Sequence, residues 1–397
     1  RLIGGIARLV RDLALAEDLA QDALLAALAT WPGAGVPQKP GAWLMAVAKR
    51  RAIDRLRHQQ MQARKLAQIG HEPRVVMPDL EAALDDDLGD EVLALIFAAC
   101  HPVLAPEAQV ALALRLIGGL STGEIARAYL ARETTIAQRI VRAKKALGGA
   151  GLRFEVPRGA EREARLGPVL AVIYLIFNEG YAATAGEDLI RPALCAEALR
   201  LGRILAQALP EEAEVAGLLS LMELQASRLR ARTDATGAAV PLTRQNRAAW
   251  DWLLIRRGLA GLARAEALGG ARGPYALQAA IAACHASARR PEATDWGRIA
   301  GLYDALQAVQ PSPVVDLNRA VAHSMAFGAE AGLVLLAKIE AEPALGNYAP
   351  LHAAKGDFLL RAHRPAEARA AFERAVALSR NAREKAFLLA RAGACGG

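Results

Sequence analysis

The chain has 397 residues, with 49 Lys+Arg and 41 Asp+Glu, for a formal net charge of +8. Apolar residues make up 53%, enough for a sizeable core, which excludes a largely disordered chain; at roughly 100–200 residues per domain the length suggests two to four domains. Ala, Leu, Arg and Glu dominate, aromatics are only 5%, and runs rich in Val, Ile, Thr and Tyr are scarce, so an all-α class is expected and a β-sandwich or barrel is disfavoured.

Four cysteines do not make a disulfide scaffold, and none are paired as CxxC. Cys100-His101 and Cys284-His285 lack zinc-ligand spacing, so buried structural thiols are expected, with no metal and no cofactor. The longest apolar run, Leu166 to Phe177, has 12 residues, against the about 20 a membrane span needs. The chain starts at Arg1 with no signal-peptide pattern, which reads as a cytoplasmic protein lacking its first residues. There is no P-loop, GxSxG, HExxH or dinucleotide fingerprint, so no enzyme is expected.

Charge is unevenly spread. Residues 1–58 hold nine Lys/Arg and five Asp/Glu, a net of +4; residues 59–92 hold three and eight, a net of −5; residues 93–150 hold seven and three, a net of +4. Two basic blocks around an acidic connector fit two modules that meet a polyanion, although solvated helix faces give the same pattern.

In the first block, a helix carrying Glu17-Asp18-Leu19-Ala20-Gln21-Asp22 continues to Trp31. Leu24, Leu28 and Trp31 share one stripe, and Glu17, Asp18, Gln21 and Asp22 lie opposite it. That acidic face is either solvated surface or a dock for a basic helix. Trp31 to Gly41 has three prolines and three glycines, which predicts a shaped loop. A helix from Ala42 to about His58 follows. Met45, Ala48, Ala52 and Leu56 face inward, and Lys49, Arg50, Arg51, Arg55 and Arg57 project. Cations on a helix beside a shaped loop suit an unpaired nucleic-acid strand, whose phosphates need charge and whose unstacked bases need a pocket or aromatic face. Asp54 stands three residues before Arg57 and can orient it.

The connector, roughly His58 to Asp90, contains Gly70, Pro73, Pro78 and Asp85-Asp86-Asp87 and reads as a linker. In the second block, Ser121-Thr122-Gly123-Glu124 fits a capping box. A short helix to Tyr129, a turn at Leu130-Ala131-Arg132, and a second helix from Glu133 to about Leu147 make a helix-turn-helix. Ile136 and Ile140 pack inward. Thr134, Thr135, Gln138, Arg139 and Arg142 project; Arg addresses guanine and Gln adenine, while Lys144 and Lys145 suit phosphates.

Together these blocks resemble a bacterial extracytoplasmic-function sigma factor. The resemblance rests on Ala16–Asp22, Trp43–Arg57 and Leu120–Leu147, in that order, and it covers roughly residues 1–150. It implies sigma region two at 1–58, an acidic linker at 59–90, and region four at 91–150. Glu17, Asp18, Gln21 and Asp22 would dock on the β′ clamp helices of core RNA polymerase. The loop at 31–41 would hold a flipped base of the minus-ten element. Lys39, Trp43, Lys49, Arg50, Arg51, Asp54, Arg55 and Arg57 would bind the minus-ten strand. Thr122, Arg132, Thr134, Thr135, Gln138, Arg139, Arg142, Lys144 and Lys145 would read the minus-thirty-five duplex of promoter DNA, with region four touching the β flap. The family usually has Asn where Arg50 stands, and it usually ends soon after region four.

Residues 151–397 read as a C-terminal all-helical domain. His352 to Leu378 resembles a tetratricopeptide unit, with Gly356, Leu359, Ala368, Phe372 and Ala375 at its small and large positions, and Ala320 stands 36 residues before Gly356. Asn178-Glu179-Gly180-Tyr181 interrupts an apolar helix; a glycine cap explains it more simply than a polar site. The arrangement resembles the sigma subgroup with a tetratricopeptide-like extension. It implies that the extension contacts regions two and four within the chain and regulates them. The alternative reading is a helix-turn-helix regulator with a helical-repeat sensor.

Overall fold

The computed structural model describes residues 2–67, 90–129, 131–151, 154–183, 189–235, 237–340, 342, 345–379 and 381–396. Among these residues the chain forms eighteen α-helices and no β-strand, as the composition predicts. It divides into two compact units, Arg1–Val172 and Ile173–Gly397.

The N-terminal unit begins with α1 (Leu2–Val10), α2 (Leu13–Ala34) and α3 (Pro40–Ala67). Arg11 takes a left-handed conformation (φ 54°) between α1 and α2. Asp12 then caps α2, its carboxylate accepting from Ala14 N at 2.8 Å and Leu15 N at 3.0 Å. The buried face of α2 is Leu13, Ala16, Leu19, Ala20, Ala23 and Ala27, and Ala48 and Ala52 are the fully buried residues of α3. Small side chains on both helices let the axes approach closely.

The predicted loop is shorter than expected. α2 runs on through Trp31 and Pro32 to Ala34, and only 35–39 separate it from α3. Gly35 ends the helix at φ 83°, donating its N–H to Trp31 O at 2.9 Å. At its other end, α3 outlasts the predicted stop at His58 and reaches Ala67. The rest of the acidic connector, 68–89, lies outside the described residues.

Next come α4 (Asp90–Ala99), α5 (Pro106–Leu116), α6 (Thr122–Ala128) and α7 (Glu133–Gly149). Gln109 is buried and ties the α4–α5 turn, donating to Cys100 O at 3.2 Å and His101 O at 2.9 Å. α8 (Gly159–Tyr181) crosses the division between the units. Its first half belongs to the N-terminal unit because Arg165 sits over the Phe97 ring and donates to Phe97 O at 2.8 Å.

In the C-terminal unit, α9 (Pro192–Ala208) packs on α10 (Ala213–Ala226), and α10, α11 (Trp252–Ala267) and α12 (Pro274–Ser287) surround one apolar cluster including Leu221, Leu224, Trp250 and Ile255. Glu214 of α10 accepts from Tyr275 N at 3.0 Å at the start of α12. Gly217 lets the same two helices cross: an added Cβ would stand 2.8 Å from Ala276 N. Gly217→Ala gains about 1 kcal/mol of helix propensity, but overpacking costs about 1–3 kcal/mol. A net destabilisation of about 1 kcal/mol is expected in denaturant unfolding; a stabilised variant would show that the crossing relaxes freely.

The chain closes with α13 (Trp296–Val309), α14 (Pro313–Phe327), α15 (Ala329–Ile339), α16 (Ala349–Arg361), α17 (Pro365–Leu378) and α18 (Ala382–Gly393). α14 packs on α15 and α16 on α17 as consecutive helix pairs. Gly356 abuts the Phe372 ring, where a Cβ would come within 2.7 Å. Ala320 is fully buried, and Leu336, at the same 36-residue offset from Phe372, is buried too. Asn178-Glu179-Gly180-Tyr181 does end a helix, but Gly180 is not a left-handed cap. It lies within α8, and a Cβ there would meet Cys195 N at 2.7 Å, so its smallness serves the approach of α9.

Cys100, Cys195 and Cys395 are buried and Cys284 is half-buried, all as thiols. Burial pushes the Cys100 and Cys195 thiols up to about 12. No described helix is long and apolar enough to cross a membrane.

Candidate nucleic-acid interface

The helix-turn-helix forms where the capping chemistry places it. Ser121 N donates to Glu124 Oε2 at 2.7 Å, and Glu124 N donates to Ser121 Oγ at 3.2 Å, so both halves of the capping box close at the start of α6. Ile125 and Ala126 of α6 and Ile136, Ile140, Ala143 and Leu147 of α7 are buried. The turn lacks glycine but stays tight, with Ala131 N donating to Ala126 O at 2.9 Å; Leu130 lies outside the described residues. Arg115 of α5 braces this arrangement through Leu120 O at 3.2 Å.

With the apolar face of α7 committed, its other face is presented to solvent. Arg132, Thr134, Thr135, Gln138, Arg142 and Lys145 are exposed, Arg139 is half-exposed, and Thr122 is half-buried in the first turn of α6. On α3, Lys39, just before the helix, and Arg50, Arg51, Asp54, Arg55 and Arg57 are exposed, while Lys49 and Trp43 are half-buried. Trp43 is held against Trp31, with ring centroids 5.5 Å apart. Residues from both sides of the short 35–39 loop therefore form one aromatic pair beside the basic helix.

These elements match known families in the same order. Residues 1–61 match sigma-70 region 2, residues 94–147 match sigma-70 region 4, and residues 165–266 match a family of unknown function, DUF6596. An uncharacterized protein of Rhizobium meliloti (strain 1021) is 44% identical over 391 residues, covering 97% of this chain and 91% of that protein. No solved structure matches the chain significantly. The chain belongs to the sigma-70 family, as a factor of the extracytoplasmic-function type with a C-terminal helical extension. Regions of these two kinds carry promoter recognition, so the partners of this sigma factor are core RNA polymerase and promoter DNA.

Two of the sigma factor's expected contact residues are turned inward. Glu17 is only 9% exposed, not on a solvated acidic face. It forms ion pairs with Arg115 of α5, at 3.3 Å, and with Lys144 of α7. Lys144 is accordingly half-buried and points away from the exposed face of α7. The reason is packing: α2 lies against α7, and a carboxylate buried at that crossing needs cations beside it. Asp18, Gln21 and Asp22 remain exposed, and Asp22 pairs with Arg51 of α3 at 3.4 Å.

The leucine stripe is also reversed. Leu24, Leu25 and Leu28 are exposed by 48%, 63% and 72%. They share the accessible side of α2 with Asp18, Gln21 and Asp22, because the alanines form the buried face. Helical spacing locates a stripe, but it does not say which of two apolar stripes is buried. Neither Arg115 nor Lys144 is marked as a partner of Glu17 by any local motif; they lie on α5 and α7.

Proposed function

We propose that this sigma factor docks on core RNA polymerase through the exposed side of α2, where Asp18, Gln21 and Asp22 flank Leu25 and Leu28. In this reading the acids meet the basic β′ clamp helices and the leucines bury apolar surface against them. α3 binds the melted minus-ten strand: Lys39, Lys49, Arg50, Arg51, Arg55 and Arg57 face its phosphates, and Asp54 orients Arg57. The Trp31–Trp43 pair offers the aromatic face for an unstacked base. α7 enters the minus-thirty-five major groove with Arg132, Thr134, Thr135, Gln138, Arg139 and Arg142, and Lys145 meets a phosphate. Region four also touches the β flap. Chemistry stays with the polymerase, so no residue here is assigned a catalytic role.

The observation that carries this reading is the division of α7 into a buried aliphatic face and an exposed polar, basic face opening at its N-terminal turn. Glu17 and Lys144 hold each other, so their use in docking and phosphate binding requires that pair to part. The C-terminal unit is the regulatory part of the chain, acting in place of a separate inhibitor.

Run-off transcription with core RNA polymerase and a pool of promoter fragments tests the proposal. Initiation at a defined start site only when the protein is added is expected. Neither initiation nor binding to core polymerase, from the full chain or from residues 1–172, would defeat it and leave a duplex-binding regulator. Activity from residues 1–172 exceeding that of the full chain would show that the C-terminal unit inhibits; equal activity would refute its regulatory role.

A further inference from the structure

The end of α8 and the segment after α10 bring three arginines together; among the described residues Glu292 acts on Arg247 at longer range, without an ion pair. Arg228 donates its Nη2 to the Tyr181 hydroxyl at 2.5 Å, and the Arg232 guanidinium lies over the Tyr181 ring, 3.8 Å from its centroid. Asp251 N donates to Ser227 O at 2.8 Å, which brings the segment holding Arg247 and Trp250 beside Arg228. The Arg247 guanidinium stacks over Trp250 at 4.7 Å and donates to His285 O at 2.5 Å. Among the described residues none of these three arginines forms an ion pair. Glu179, the nearest carboxylate in sequence to Tyr181, is engaged by Arg191.

Three buried donors in this cluster have no hydrogen-bond partner: Arg232 Nε, Arg247 Nε and Trp250 Nε1. Leaving such donors unpaired costs about 1–3 kcal/mol each, and packing like charges together adds to that cost. The neighbourhood repels a further proton as well. Burial, with Arg228 and Arg247 beside it, pushes the His285 imidazole down to about 4. A structural role accounts for Arg247, which donates to His285 O, Ala288 O and Thr294 Oγ1. It does not account for Arg232, whose guanidinium lies over the Tyr181 ring while its buried Nε has no hydrogen-bond partner.

We infer that Arg228 and Arg232, with the Tyr181 hydroxyl and the charge of Arg247 beside them, form a binding site for the phosphate group of a small molecule in the C-terminal unit. Planar guanidinium forks match the oxygens of a phosphate, and a dianion balances more of the local charge than a single carboxylate. Tyr181 accepts from Arg228 and keeps its own hydroxyl proton to donate to the ligand. The site uses the Asn178–Tyr181 motif, which promoter recognition leaves without a role, and it stands independently of the proposed polymerase contacts. It gives the sigma factor an input that responds to a phosphorylated metabolite.

Thermal unfolding of the full chain tests this, titrating inorganic phosphate, glycerol 3-phosphate or succinate at constant ionic strength set by chloride. Saturable stabilisation by inorganic phosphate or the phosphate ester is expected, with the apparent Kd raised at least about tenfold in Arg232→Gln and in Arg228→Gln. Without ligand, Arg232→Gln is expected to unfold at a higher temperature than the parent, because repulsion is relieved. An arginine needed only for structure would give the opposite sign. The inference is overturned if no phosphate compound saturates, if saturation is unchanged in both variants, or if succinate alone saturates.

Discussion

Glu17→Gln is expected to destabilise the N-terminal unit by about 3 kcal/mol, the scale for removing one member of a buried ion pair. The side chain of Glu17 is 11% exposed and that of Lys144 17%, so the cations left behind are poorly hydrated. Arg115 keeps its bond to Leu120 O, whereas Glu17 is the sole ion-pair partner recorded for Lys144 among the described residues. Lys144→Gln is therefore expected to cost less than Glu17→Gln, and the double variant should cost less than the sum of the two. Denaturant unfolding of the four proteins forms the cycle that measures the coupling. A loss below about 0.5 kcal/mol for Glu17→Gln would mean that the pair behaves like an exposed one and does not hold α2 to α7.

Arg142→Ala is expected to weaken binding of a minus-thirty-five duplex by about 10- to 100-fold, corresponding to roughly 1–3 kcal/mol for a good contact to a base edge. Gln138→Ala should have an effect of the same size, and each should relax the preference at one base pair. Lys145→Ala should behave differently, weakening all sequences alike and reducing the slope of log K against log salt by about 0.9. These side chains are exposed, so the variants should fold normally. Binding measured with region four bound to core polymerase, over a range of salt, separates the outcomes. If Arg142→Ala and Lys145→Ala had the same salt slope and no change of base preference, α7 would not be the reading helix.

Much of this protein could be read from short stretches of sequence. Ser121 and Glu124, three residues apart, specify a capping box whose bonds depend only on neighbours, and both formed. Ile136 and Ile140, and Ala48 and Ala52, lie at helical spacing and are buried. Gly356 and Phe372 are close in sequence and pair within one helical hairpin. The all-α class follows from composition, and the sigma regions follow from three motifs in order.

Other features depend on how the helices pack. Pro32 and Gly33 suggested a loop, yet α2 carries both and stops only at Gly35. Leu24 and Leu28 had the spacing of a core stripe, but small alanines on another face of α2 allow closer approach to α1 and α3, so the leucines remain outside. Gly180 has the local sequence of a cap, but α9 packs against it.

Glu17 shows the limit most clearly. Its helix and its acidic neighbours could be recognised locally. Its ion-pair partners, Arg115 and Lys144, lie 98 and 127 residues further along the chain. Helical periodicity fixes which residues share a face, because that depends on a few neighbouring dihedrals. The burial of that face, and the charge that answers it, are set by which distant helix packs there, and that was decided only in the folded chain.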